Sequence, residues 1–426
     1  MSFAKFARSP LVWVLIVALA MRLGMGLWWQ AQLPPGARFA FPDSESYWSL
    51  AGAMARGEPY AFGTPPAMVF RTPGYPLILA GLFITAGREP PVSAAIALNA
   101  VLGVLAVLGV YALAVRLFDR RTGLVAATIV ALYPGAIGTS VFILSEAAFC
   151  PLLIAQLLAT TLAWQSAGTK ATIALAVAAG CCAGAASLVR PSWLLFVPFA
   201  LAVGLLSGRH LKRHLLCGVC SLVGLAIVMA PWWMRNYRVT GHFVPTTLQV
   251  GASLYDGLNP RATGASEMSF VPGFVALEEQ EPEGGESFEY RLDRRLRSAS
   301  LEWVETHPGR ALQLALVKFV RMWNVWPNEA EFRSWPMRMA VAATYVPLLL
   351  LALIGAFRFT PRGWSYALCW LPAVYLTLLH MIFVSSLRYR EPAMLPLAIL
   401  GAGALMFYPP HKGQGSAPAA GDLREA

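Results

Sequence analysis

Asp43 and Glu45, separated by Ser44, stand just after the first long apolar stretch of the chain, and Arg71 follows in the Pro/Gly-rich return Arg71-Thr72-Pro73-Gly74-Tyr75-Pro76. Glu146 comes later, after Leu132-Tyr133-Pro134-Gly135 and Leu144-Ser145, while Arg190, Arg235, Arg388 and Arg390 mark the edges of further apolar segments. Ionisable groups at the ends of membrane segments are functional candidates by default. The planar fork of arginine suits phosphate, and a positioned carboxylate can take a proton from a hydroxyl. These residue types together look like a reaction centre at a bilayer surface. Each residue also has a plainer reading. Asp43 is a favoured helix N-cap, Glu45 suits a first turn facing the helix dipole, and Glu146 can snorkel to the water boundary. The arginines can meet lipid headgroups, or pair with Glu391.

The composition sets the environment of these residues. The chain has 426 residues, 57% hydrophobic and 13% charged, against about 25% charged in soluble domains. It reads as an all-α polytopic membrane protein. The net charge of +11 brings no zinc-finger spacing, RGG tract or basic soluble domain with it, so nucleic acid is not a partner. All six cysteines lie in apolar stretches, and Cys217 and Cys220, despite CxxC spacing, read as packing residues rather than a disulfide framework. His210 and His214 have i, i+4 spacing but sit in a basic loop that repels cations, and His380 reads as a packed polar residue. No Walker P-loop, HExxH or GxSxG is present.

A span needs about 20 apolar residues. Such segments fall near 10–29, 92–115, 123–142, 147–165, 171–189, 192–208, 215–233, 338–357, 364–384 and 393–408, giving about ten spans. Lys5 and Arg8 precede the first, which lacks a small-residue cleavage site and reads as an uncleaved helix. The stretch 73–87 is shorter and reads as a half-inserted or interfacial helix. Lysine and arginine in short loops set orientation. With both termini cytoplasmic, the inner loops hold Arg116/Arg120/Arg121, Lys170, Arg209/Lys212/Arg213, Arg358/Arg362 and Lys412, and of 22 acidic residues only Asp119, Asp422 and Glu425 fall inside.

The expected organisation is therefore a transmembrane core over 1–233 with a first external loop at 30–91, an external segment over 234–337, C-terminal helices over 338–408 and a disordered cytoplasmic tail over 409–426. Asp43 opens a short interfacial helix with Tyr47, Leu50, Ala51 and Met54 on one face and Trp48 as an interface anchor. The Glu-rich run Glu278, Glu279, Glu281, Glu283, Glu286 and Glu289 reads as solvated surface. A helical stretch over 287–325 leads to Trp323, Trp326 and Trp335, suited to a membrane interface. Gly180 and Gly184 serve helix packing.

The order and sidedness of these motifs resemble the GT-C superfamily of membrane glycosyltransferases, and within it the bacterial family 39 type, relatives of protein O-mannosyltransferases and of the lipid A aminoarabinose transferase. The likeness rests on the external Asp43, the Arg71–Pro76 return, Tyr133-Pro134-Gly135 with Leu144-Ser145-Glu146, Pro231-Trp232-Trp233-Met234-Arg235-Asn236-Tyr237, Gly257-Leu258-Asn259-Pro260 and Arg388-Tyr389-Arg390. It implies a GT-C helix bundle that moves a sugar, with inversion, from a polyprenyl-phosphate donor to a hydroxyl of a lipid, glycan or protein. Transfer would take place on the external face of a bacterial inner membrane. It implies Asp43 as general base, Arg71 on the donor phosphate and Glu146 as the acidic residue of the second external loop. Arg388, Arg390, Arg190 and Arg235 join the phosphate candidates, Glu45 the catalytic ones, and Tyr47, Tyr75 and Tyr389 the substrate groove. Protein mannosyltransferases have adjacent Asp-Glu where Ser44 intervenes here, which leaves the acceptor open. No cofactor is firmly implied, although Asp43, Glu45 and Glu146 would suit Mg or Mn if they converged. The alternatives are a flippase or a ligase of lipid-linked sugars. A flippase would carry mid-span charges and paired broken helices.

Overall fold

The computed structural model describes residues 9–87, 89–281, 285–326 and 334–407. The expectations on Lys5, Arg8, Lys412, Glu283 and the 409–426 tail lie outside them. Among the described residues the regular elements are all helices, apart from one isolated bridge, Phe62 to Ala67.

Six helices are long and apolar enough to cross a membrane: Pro10–Ala31, Val92–Leu117, Glu146–Gln165, Thr169–Val189, Leu211–Thr240 and Arg338–Arg362. A seventh candidate is the pair Arg120–Leu132 and Pro134–Val141, bent by 58°. Four shorter apolar helices are Gly74–Ala86, Pro191–Leu206, Leu371–Ile382 and Glu391–Met406. Every apolar segment expected from the sequence is thus helical, but by length only six or seven of them can cross alone, not ten. Prolines stand at the breaks. Tyr133 is extended (φ −67°, ψ 118°), the conformation that Pro134 favours for the residue before it, and this breaks the 123–142 segment in two. The 364–384 segment is divided at the turn 368–370, where Trp364–Ala367 ends and Leu371–Ile382 begins with Pro372 at its start.

Broken helices free carbonyls that the membrane interior cannot satisfy. Arg22, buried in the first helix, answers the break at Tyr133. Its Nη2 donates to Val130 O (3.2 Å), and Nη1 to Ala131 O (3.3 Å) and Ala18 O (3.2 Å). Elsewhere small residues bring helices together. A methyl on Gly180 would collide with the Ser221 carbonyl and one on Gly224 with Val177 O, so Thr169–Val189 and Leu211–Thr240 approach backbone to backbone.

Pro42–Arg56 is a 15-residue helix closed by Gly57 in the left-handed region (φ +69°). It lies on Gly74–Ala86, itself only 13 residues long. Tyr47, Leu50 and Ala51 form its buried face, as their spacing predicts. Trp48 is not the expected interface anchor. It is buried against Phe83, ring centroids 5.0 Å apart, with the Arg38 guanidinium over it at 4.8 Å.

Segment 234–337 carries Val250–Gly257, Val271–Glu279, Phe288–Thr306 and Pro308–Trp323. The stretch expected as one helix divides at His307, the residue before Pro308. Trp326 and Trp335 are exposed, whereas Trp323 donates its indole N–H to Thr377 Oγ1 (3.0 Å). The Glu-rich run is only partly solvated. Glu278 is buried between Arg291 Nε (2.6 Å) and Arg295 Nε (2.7 Å). Glu289 accepts backbone N–H bonds from Met68 (2.8 Å) and Val69 (2.9 Å). Arginines one helix later, and amides in a distant loop, are partners that a local charge count does not reveal.

Candidate active site

Four helix ends meet where the sequence placed its charges. The carboxylate of Asp43 comes from the first turn of Pro42–Arg56, where Pro42 takes the first helical position and Phe41 is the N-cap. Asp43 therefore caps nothing, and its carboxylate is free to face inward. Oδ1 accepts from Arg71 Nη2 at 2.6 Å, and Oδ2 lies 3.5 Å from Arg388 Nη2. Arg388 in turn reaches Glu146 Oε1 with Nε at 2.8 Å, and Arg190 Nη1 reaches the same oxygen at 2.6 Å. The result is a continuous chain, Arg71–Asp43–Arg388–Glu146–Arg190, built from residues that begin or precede helices throughout the sequence.

The two carboxylates differ in access. Glu146 is 1% exposed and wedged between two guanidinium groups. Asp43 keeps 37% of its side chain in contact with solvent. Burial by itself would raise the Asp43 carboxyl, but Arg71 and Arg388 outweigh it and hold it below the ordinary aspartate range. Three guanidinium groups face two carboxylates, so the cluster keeps a positive charge that an anionic ligand can neutralise.

Aromatic rings frame the charges. Arg71 lies 5.1 Å from the Tyr47 ring centre and 4.7 Å from that of Phe70. Tyr47 meets Tyr75 edge to face at 5.2 Å, and Tyr75 donates its hydroxyl to Asn99 Oδ1 (3.1 Å). Tyr389 packs between Arg190 (5.4 Å) and Arg388 (5.2 Å) and stacks on His380 at 4.2 Å. Arg71 is also held by Gln249 Oε1 (2.9 Å) and Ser46 Oγ (3.2 Å). Ser46 lies in the acidic segment itself and was within reach of sequence reasoning. Gln249, in the 234–337 segment, carries no sequence signal that would single it out.

Three candidates stand apart from this cluster. Arg390 is fully buried, donating to Met322 O (3.0 Å) and Asn324 O (2.6 Å) with its guanidinium 3.6 Å from the Tyr345 ring centre. Arg235 donates to Tyr60 O (3.1 Å), and the Tyr60 hydroxyl donates to Arg71 O (3.1 Å), so Arg235 lies one residue behind the cluster. Glu45 is exposed and makes none of the ion pairs that join Asp43 and Glu146 to the arginines. Among the described residues no three His, Cys, Asp or Glu side chains come close enough to hold a metal ion.

A family model described as dolichyl-phosphate-mannose-protein mannosyltransferase matches residues 71–234, the stretch that holds Arg71, Glu146 and Arg190. Among solved structures, 95% of the chain superposes on 51% of the oligosaccharyltransferase AglB of Archaeoglobus fulgidus, solved with an inhibitory peptide and a dolichol-phosphate, at TM-score 0.62 and 17% identity. The fold is that of the GT-C glycosyltransferases. A second structure of an Archaeoglobus fulgidus oligosaccharyltransferase, with Zn and sulfate, gives TM-score 0.59 at 16% identity over 94% of this chain and 49% of that one. ArnT of Cupriavidus metallidurans bound to undecaprenyl phosphate is also found, at TM-score 0.45 and 16% identity, over 93% of this chain and 77% of that one. The chain spans about half the length of the archaeal proteins it matches. Among curated proteins no sequence match is found. The GT-C fold expected from the sequence is met, and the family match includes Arg71, Glu146 and Arg190, while Asp43 and Arg388 lie outside the matched residues.

Proposed function

We propose that this chain is an integral-membrane, inverting glycosyltransferase that moves a sugar from a polyprenyl-phosphate donor to a hydroxyl acceptor on the external face of the membrane. The observation that carries the reading is the pairing of Asp43 with Arg71 and Arg388 in a cluster with a cationic surplus. Support comes also from the family match over 71–234 and from a dolichol-phosphate in the structure of AglB.

The chemistry follows from the charges. The donor phosphate competes with Asp43 for Arg71 and Arg388, and its binding loosens the carboxylate from its partners. The acceptor hydroxyl then gives its proton to Asp43 while its oxygen bonds to the anomeric carbon. The bond from that carbon to the phosphate oxygen breaks, and both electrons leave with the phosphate. Arg71 and Arg388 stabilise the charge as it develops. Phosphate is a good leaving group, so no strong acid is needed. Glu146 is a positioning residue in this scheme, because it holds Arg190 and Arg388 from the buried side and offers no oxygen to the acceptor. A divalent cation does not fit the donor set: Asp43 and Glu146 are neutralised by guanidinium groups, and among the described residues no third acidic side chain joins them. No step is routed through a metal.

The test is turnover in vesicles, read as polyprenyl phosphate released from polyprenyl-phosphate sugars when acceptor is supplied. Asp43→Asn should lower turnover by about 10²–10⁴, while donor binding survives. Full activity in that variant would remove Asp43 from the reaction. Movement of intact donor across the vesicle bilayer without release of polyprenyl phosphate would favour a flippase.

A further inference from the structure

We infer that the helix bundle carries a second ligand site, for an anionic phospholipid, at the end opposite the Asp43–Glu146 cluster. A cavity of about 1450 Å³ opens between Phe196–Leu206 on one side and the helices Trp335–Phe359 and Leu371–Ile382 on the other. It exceeds the roughly 300–1,000 Å³ of sites for small ligands. Its walls are hydrocarbon, and several lining side chains have no protein over them: Phe357 is 82% exposed and Leu378 51% exposed. In a bilayer such a surface is covered by lipid chains.

The mouth has a different character. Arg209 and His210, from the turn before Leu211–Thr240, face Arg362, from the turn Thr360–Arg362, and no Asp or Glu is among the lining residues. The Trp164 and Trp364 rings flank His214 at 4.5 and 4.6 Å between centroids, the kind of amphipathic ring that lies at headgroup depth. Trp164 lies near the far end of the helix that Glu146 begins, roughly 27 Å away at 1.5 Å per residue.

This distance selects the occupant. A donor whose phosphate sits on Arg71 and Arg388 can bring only hydrocarbon to the far end, and hydrocarbon gives Arg209 and Arg362 nothing to bind. A phospholipid with its phosphate at the mouth and its acyl chains along the cavity uses both the cations and the apolar walls. Basic pockets between transmembrane helices take anionic headgroups in this way.

The purified protein, incubated with equal amounts of phosphatidylglycerol and phosphatidylcholine of matched chains, reports on the site by native mass spectrometry. Phosphatidylglycerol should be retained with roughly thirtyfold preference, from about 1 kcal/mol for each of two arginines. R209Q/R362Q should lose that preference and R71A should keep it. Equal retention of the two lipids by the unmodified protein would overturn the assignment, as would a preference that survives R209Q/R362Q. Displacement of phosphatidylglycerol one-for-one by undecaprenyl phosphate would instead give the cavity to the donor chain. None of these readouts requires turnover, so the site can fail while the glycosyltransferase reading stands.

Discussion

Arg388 Nε lies 2.8 Å from Glu146 Oε1, and the other end of the same guanidinium lies 3.5 Å from Asp43 Oδ2. One side chain from the turn before the last helix thus ties the buried carboxylate to the accessible one. The buried carboxylate of Glu146 is held between two cations, while that of Asp43 keeps contact with solvent.

Glu146→Gln should act on stability first. It leaves Arg190 and Arg388 facing each other without their shared counter-charge, and removing one partner of a buried pair costs about 3–5 kcal/mol. Thermal unfolding in detergent should show a lowered midpoint. A variant of unchanged stability that has lost turnover would make Glu146 a reacting group instead of a positioning one.

Arg71→Ala should weaken donor binding and also slow the bound reaction, because its guanidinium meets the phosphate in the ground state and the added charge on it in the transition state. Titration with a polyprenyl-phosphate sugar measures the binding. Arg71→Lys keeps the charge but loses the fork, and should recover only part of the affinity. Unchanged affinity in both variants would move phosphate recognition to Arg388.

The pH dependence has a defined sign. The Asp43 carboxyl is held below its ordinary value in the folded protein, so its ionisation contributes stability above the unfolded value of about 3.9. That contribution is lost as pH falls through the depressed folded value. In the proposed reaction the same group must be ionised. The acid limb of kcat/KM, which reports the free enzyme, should therefore lie below the ordinary aspartate range. The limb of kcat, which reports the donor complex, should lie higher, because the phosphate draws Arg71 and Arg388 away. Coincident limbs would argue against competition between phosphate and Asp43.

Glu289→Ala should loosen the loop that carries Arg71. The carboxylate of Glu289 accepts from the amides of Met68 and Val69, and Leu248 N–H donates to Val69 O (2.9 Å). Without the carboxylate, hydrogen exchange at Met68 and Val69 should accelerate by one to two orders of magnitude, corresponding to about 1–3 kcal/mol. Unchanged protection would show that the Leu248 bond alone fixes the loop.

Arg390→Ala should cost folding stability by several kcal/mol, because Met322 O and Asn324 O lose their buried charged donor. If the folded fraction instead showed a selective loss of donor binding, Arg390 would belong with the phosphate contacts.

Much of this molecule is legible in its sequence. Apolar length and the placement of lysine and arginine mark the helices, since burying or hydrating these groups in lipid is costly whatever their neighbours. Scarcity of charge then makes Asp43, Arg71, Glu146, Arg190 and Arg388 stand out. What the sequence could not decide is which of them meet. Arg388 and Arg390 look alike as a pair, yet two residues along a helical turn place side chains on different faces. One joins the cluster and the other is buried against Tyr345. Trp48 reads as an interface anchor by type but is covered by Phe83, and Glu278 reads as solvated until Arg291 and Arg295 enclose it. The bias toward a break at Tyr133 is written in Pro134, whereas its stabilisation by Arg22 required the first helix to lie alongside. Local composition determines where a group sits relative to the membrane, because transfer free energy is a property of the residue. Pairing is a property of two residues, and only the packing of helices distant in sequence brings them within hydrogen-bond reach.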